Sequence, residues 1–257
     1  MENNRKKRND LLAFCLGILL VGLLIQTAGW LKNDRLVFPG VGEILAAFVR
    51  LLGSGKVWRQ IGTTLLHLAE ALAVSTAAGV LLGVAQGRSA FVRTLLKPLM
   101  ILLRSIPMIV MTVIIMVLLK YDSVPLAATS LMLIPIISEA TCEGFLRIDP
   151  ELVDVYRMNG GFSLRVLFQV YLPLMAGYLK QAYVNAVGMG IKLTVTTEYL
   201  VQSRDSLGKA VYSSGYFNEY AEIYAYALIM ILMVVLVSAL PKGIGRITEA
   251  YRKSHSR

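Results

Sequence analysis

Charge and cysteine are scarce in this chain. Of its 257 residues, 16% are Asp, Glu, Lys or Arg, against about 25% in soluble globular domains. Cys15 and Cys142 are the two cysteines, far apart and without CxxC spacing. A disulfide framework and a thiolate metal site are therefore not expected, and both read as small packing residues. No G-x-x-x-x-G-K-[ST] occurs, so no phosphate-cradling loop is present and ATP would have to be bound by another chain. No catalytic constellation, metal cluster or cofactor motif stands out. Internal repeats, low-complexity linkers and a second domain are also missing. The apolar run from Leu11 to Leu31 is too long for a signal-peptide core and lacks a small-x-small cleavage site, so it reads as a retained helix.

What is present is apolar sequence, in blocks. The chain is 56% hydrophobic with a mean hydropathy of +0.63. The blocks are about 20 residues long, enough to cross about 30 Å of hydrocarbon. Alternating ten-residue segments, the mark of a membrane barrel, are not seen. The expectation is an all-α polytopic membrane protein with about six spans, near 11–31, 62–87, 98–119, 124–146, 174–201 and 222–241.

The net charge of +10 would suggest nucleic acid in a soluble protein. Here it fits orientation, and no nucleic-acid partner is expected. Arg5, Lys6, Lys7 and Arg8 hold the N-terminus in the cytoplasm. Six spans return the C-terminus to the same side. Fifteen of the 26 basic residues then fall in cytoplasmic segments and eight in outer ones, which supports an N-in, C-in arrangement. The expected organisation is a basic cytoplasmic N-terminus over 1–10, one transmembrane domain over 11–245 with a cytoplasmic loop at 147–173, and a cytoplasmic tail over 246–257. Lipid is the surrounding partner.

Between the first two spans, FPGVGEILAAFVRLL places Ile44, Leu45, Phe48, Leu51 and Leu52 at helical spacing. It reads as a helix along the outer interface. Gly79, Gly83 and Gly87 recur every four residues in the second span. Such a stripe allows close helix approach, and packing is the preferred reading over function. Pro107 and Pro135 interrupt the third and fourth spans, where proline frees a carbonyl and bends the helix. Kinked central spans fit a pathway, although a simple packing bend explains either one alone.

The polar, glycine-broken segment DVYRMNGGFSLRVLFQVYLP at 154–173 interrupts the hydrophobic pattern. Asp149 caps a helix start, Pro150 suits its first turn, and Glu151 and Asp154 lie near its positive end. Asn159, Gly160 and Gly161 end it, since these residues accept left-handed dihedrals. A second helix starts near Ser163 and runs to Pro173, which turns the chain into the fifth span.

This segment resembles the signature loop of ABC-importer permeases, E-A-A-x3-G-x9-I-x-L-P. The likeness extends in order along residues 36–245. LKPLMILLRSIPM at 96–108 is similar to L-x-P-x-x-x-x-L-R-x-I-P-P. RIDPELVDVYRMNG is similar to R-x-V-D-P-E-L-x-E-A-A-R-x-L-G. GIKLTVTTEYL at 190–200 resembles W-K-x-x-V-x-A-E, and SLGKAV at 206–211 resembles G-L-G-x-x-I. The chain is thus similar to permeases of the nitrate/sulfonate/taurine-type importers.

The resemblance implies a type I importer permease fold, a place in the bacterial cytoplasmic (inner) membrane, and no enzymatic activity in this chain. It implies a cytoplasmic ATP-binding subunit docked on the loop through Asp149, Pro150, Glu151, Asp154, Tyr156, Arg157, Gly160, Gly161 and Pro173. It further implies an extracytoplasmic solute-binding protein, a second permease copy as a homodimer, and a small organic solute such as a sulfonate- or nitrate-like anion or a vitamin or pyrimidine precursor. The chain departs from the pattern at Val155 and Tyr156, where alanines are usual, at Met108 and Ile191, and at the acids Glu139 and Glu143.

Ionisable groups within spans usually face an interior or a water-filled cavity. Arg104 and Glu139 are each about 10 Å deep from the cytoplasmic face at 1.5 Å per residue, and a structural pair between them is the preferred reading over substrate contact. Glu143 shares a face with Glu139 and can reach the interface. Together with Pro107, Pro135, Lys192 and Glu198, Arg104 and Glu139 form the expected translocation pathway. His67 reads as a satisfied packing histidine. The aromatics around Tyr216 read as an interfacial belt. An ion-coupled secondary transporter would account for Arg104 and Glu139 but not for the loop. A non-transporting scaffold would need neither.

Overall fold

The computed structural model describes residues 39–149, 151, 163 and 166–255, with the isolated positions 17, 20 and 27; side chains are described as far as Ser238. The expected first span, 11–31, lies almost wholly outside the described residues, as does most of the 150–165 loop. Among the described residues every regular element is helical, in accord with the all-α expectation. The chain divides into two compact units, residues 1–58 with 211–230, and residues 59–210 with 231–257.

In the first unit, α1 (Val41–Leu52) begins at Gly40, whose N–H donates to the Glu43 carboxylate at 3.2 Å. Gly40 has no side chain, so only this half of a capping box exists. Ile44, Ala47 and Leu51 are buried, whereas Val41, Leu45 and Val49 form an exposed apolar stripe. Leu45 thus faces away from Ile44 and Leu51. The Trp58 indole donates to the Leu52 carbonyl at 2.9 Å, which closes the turn after α1. Arg50 reaches Glu222 at 3.5 Å, and the Ser214 hydroxyl donates to Glu222 at 3.2 Å. The Glu222 carboxylate pushes the nearby Glu219 carboxyl above its usual range.

The second unit holds most of α2 (Gly55–Arg88), then α3 (Ala90–Ser105), α4 (Met108–Leu118), α5 (Val124–Leu146) and α6 (Ala176–Val201), and the start of α7 (Leu207–Tyr216). The final helix, α8, runs Tyr220–His255. It continues well past the expected span end at 241.

The glycine stripe of α2 lies directly on α5. A Cβ at Gly79 would stand 2.8 Å from the Ile137 Cβ, at Gly83 2.5 Å from the Ser138 carbonyl, and at Gly87 2.7 Å from the Phe145 Cβ. Side chains are excluded there because the two helix backbones approach too closely. Gln86 donates to Ser138 at 2.7 Å along the same seam. A second apolar cluster joins Leu103, Met111, Ile115, Val124 and Ala128 across α3, α4 and α5.

The third span departs from expectation. A single kinked helix over 98–119 is replaced by α3 and α4, set at 103° to each other. Pro107 lacks an N–H and disfavours helical geometry in the residue before it. Ile106 accordingly is extended (ψ 125°), Pro107 follows with ψ 138°, and a new helix starts at Met108. Pro135, by contrast, is buried inside an unbroken α5. Among the described residues three helices are long and apolar enough to cross a membrane, Gly55–Arg88, Tyr121–Leu146 and Tyr220–Ser238, and the bent α3–α4 pair makes up to four. Ala176–Val201 is long enough at 26 residues, but Lys180, Lys192 and Glu198 lower its hydropathy.

Candidate functional site

An open cavity of about 440 Å³ lies between α3 and α5. From α3 it is lined by Arg93, Lys97, Met100, Ile101 and Arg104, and from α5 by Pro135, Glu139, Cys142, Glu143 and Leu146. The basic residues fall at offsets of four and eleven on α3, close to whole helical turns, so they share one face. Glu139 and Glu143 are four apart and share a face of α5. Arg104 Nη2 and Glu139 Oε2 are 2.5 Å apart, and each side chain is 49% exposed. The pair is therefore on the cavity wall rather than in the packed core.

Glu198 has a different setting. It is fully buried. Its Oε1 is 2.8 Å from His67 Nδ1 on α2. Its Oε2 accepts from the Thr64 hydroxyl at 2.8 Å and from the Gly208 N–H at 3.2 Å. Thr64 in turn accepts from the Leu207 N–H at 3.1 Å. A buried carboxylate is tolerated only when its lone pairs are satisfied, and here they are. Gly208 sits so close to α6 that a Cβ there would fall 2.6 Å from the Val195 carbonyl. The two short segments 190–200 and 206–211 meet at this point, which gives the physical reason for a glycine in the second and an acid in the first.

Of the pathway residues expected from sequence, the structure gathers Arg104, Pro135 and Glu139 on the cavity wall and puts Pro107 at the α3–α4 break. Lys192 is exposed on α6, and Glu198 is sealed in its own network. Arg93, Lys97 and Cys142 were not among the expected pathway residues. The signal for the two cations was their spacing from Arg104. Thr64 and Gly208, the other partners of Glu198, carried no sequence signal beyond the short motif around Gly208.

Of the loop residues, Pro150, Asp154, Tyr156, Arg157, Gly160 and Gly161 lie outside the described residues. Asp149 accepts from the Glu151 N–H at 3.0 Å, the geometry of a helix start. Ser163 accepts from the Val166 N–H at 3.3 Å. The chain then winds as a π-helical turn over Leu167–Tyr171, where the Leu172 N–H reaches back to the Leu167 carbonyl. It passes through Pro173 to Leu174 and, after Met175, enters α6. Tyr171 stacks on Phe145 of α5, with centroids 4.9 Å apart and planes at 7°. Arg147 lies 5.5 Å over the Tyr178 ring. The loop's entry and exit are thus tied to the ends of α5 and α6.

The comparisons with known proteins agree with this architecture. The profile of the family described as binding-protein-dependent transport system inner membrane component matches residues 75–251, more than two thirds of the chain. No curated protein matches significantly by sequence. Among solved structures, a chain of the MetNI methionine ABC transporter, in inward facing conformations, is similar with a TM-score of 0.62 at 18% identity, covering 79% of this chain and 96% of that one. A chain of a bacterial ABC transporter involved in the import of the acidic polysaccharide alginate is similar with a TM-score of 0.64 at 15% identity, covering 93% and 96%. At such identities the likeness shows the fold. With the family match it settles the class: the chain belongs to the binding-protein-dependent transport system inner membrane components, as a multi-pass membrane permease subunit of an ABC importer.

Proposed function

We propose that the chain forms one half of the translocation pathway for a small organic solute, facing a second copy of itself. An extracytoplasmic binding protein delivers the solute, and a separate cytoplasmic subunit, docked on the 147–173 loop, hydrolyses ATP. The observation that carries this reading is the half-exposed Arg104–Glu139 pair on the wall of a 440 Å³ cavity. A charged pair at that depth is stable only where water or solute reaches it. In the orientation set by the basic N-terminus, the cavity occupies the cytoplasmic half of the chain. Pro107 breaks the helix that carries Arg104, which gives α3 and α4 freedom to move as separate levers.

Asp149, Pro150, Glu151, Asp154, Tyr156, Arg157, Gly160, Gly161 and Pro173 belong to the docking segment in this reading. The Phe145–Tyr171 stack and the Arg147–Tyr178 contact supply a mechanical route from that segment to α5, which carries Glu139. Lys192, exposed on α6, extends the pathway, while Glu198 holds α6 against α2 beside it.

The docking assignment is tested at Gly160. A β-branched residue there strains the loop turn. In vesicles containing the complete importer, Gly160→Val is expected to reduce ATP-coupled uptake by about tenfold or more while residual ATP hydrolysis persists, a loss of about 1.4 kcal/mol in coupling. Normal coupled uptake by Gly160→Val would overturn the assignment.

A further inference from the structure

The cavity between α3 and α5 carries more charge than one ion pair uses. Arg104 is held by Glu139; the α3 wall also carries Arg93 and Lys97, and the α5 wall carries Glu143. Lys97 and Glu143 lie on opposite walls, both exposed, and among the described residues neither side chain has an ion-pair or hydrogen-bond partner. Met100, Ile101 and Leu146 add an apolar surface between them.

A solute with charge of one sign would pair with one wall and meet like charge on the other. A solute with both signs satisfies both. We propose that this cavity binds a zwitterionic solute with an apolar body. Its anionic group is received by Lys97 and Arg104, and its cationic group by Glu143 and Glu139. Arg104 and Glu139 hold each other until the solute's two charges replace those contacts as it enters. The volume of about 440 Å³ suits a small molecule. Sites built to pair a charged group reject analogues that lack it, so the two walls together select against simple anions and simple cations. This inference names the substrate class for the pathway proposed above and rests on it.

The test uses the complete importer with its binding protein in vesicles, supplied with ATP and a whole-cell metabolite extract. Mass spectrometry then identifies what accumulates inside. The expected solute carries one anionic and one cationic group at neutral pH. Lys97→Gln and Glu143→Gln should each reduce its accumulation by about tenfold, and the exchange Lys97→Glu with Glu143→Lys should recover part of the loss. Co-purification of the ATPase subunit confirms that each variant is folded. Accumulation of a solute with charge of one sign only would overturn the zwitterion assignment and leave the pathway standing. So would undiminished accumulation in both single variants. ATP hydrolysis with no solute accumulated would overturn the pathway reading, and this inference with it.

Discussion

Glu139 and Glu198 are both acids within apolar helices, and the structure sets them in opposite environments. Glu139 is half exposed on a cavity wall with one ion-pair partner, Arg104. Glu198 is fully buried with three partners, drawn from α2 and the start of α7. A carboxylate that must stay fixed is surrounded by donors that do not move. One on a cavity wall stays near water and keeps a single contact. Identical chemistry at similar hydropathy thus occupies two settings, and burial with partner count separates them.

The comparison breaks most readily at Glu198. Glu198→Ala leaves Thr64, His67 and the Gly208 N–H without their acceptor. Removal of one member of such a buried network costs about 3–5 kcal/mol. The expected outcome is a large drop in the unfolding temperature of the purified protein in detergent, with little folded material recovered. If Glu198→Ala unfolds at the same temperature as Glu139→Ala, the two acids are not distinguished by their settings.

A smaller effect is expected at Gly208. An alanine there forces its Cβ to within 2.6 Å of the Val195 carbonyl, so α7 must shift away from α6. Overpacking of this kind costs about 1–3 kcal/mol. Gly208→Ala should lower the unfolding temperature by less than Glu198→Ala. A gain in stability would show that α7 does not rest on the network as described.

Much of this was legible in sequence because it depends on local pattern. The apolar block near 124–146 matches α5 at both ends, and the four-residue glycine stripe of α2 announced a close helix contact. The partner of that stripe was not legible, since nothing in Gly79, Gly83 and Gly87 names Ile137, Ser138 and Phe145. The pairing of Arg104 with Glu139 followed from depth counting on two antiparallel helices. Arg93 and Lys97 were not grouped with Arg104 because α3 begins at Ala90 rather than near 98, which adds eight residues to the helix and brings two cations onto the face with Arg104. The 103° break was hidden for a similar reason. Proline predicts that a helix is interrupted, while the angle depends on what the two halves pack against. The Glu198 network depends on contacts more than 130 residues apart, where periodicity carries no information.

The smallest effect on stability and the sharpest test of the comparison both concern the Arg104–Glu139 pair. Half-exposed ion pairs contribute about 0–1 kcal/mol, far less than a sealed network. Glu139→Gln and Arg104→Met are each expected to lower the unfolding temperature only slightly, because the remaining charge is left near water. The double variant Arg104→Met with Glu139→Leu should recover most of that loss, since no orphan charge remains. Uptake should respond in the opposite proportion. Glu139→Gln ought to slow ATP-driven transport several-fold while hardly altering the fold, because the carboxylate is lost from the cavity wall and not from the core. Strictly additive stability losses would show that the two groups are uncoupled. An unchanged uptake rate in Glu139→Gln would remove the acid from the pathway and leave Glu139 and Glu198 differing in burial alone.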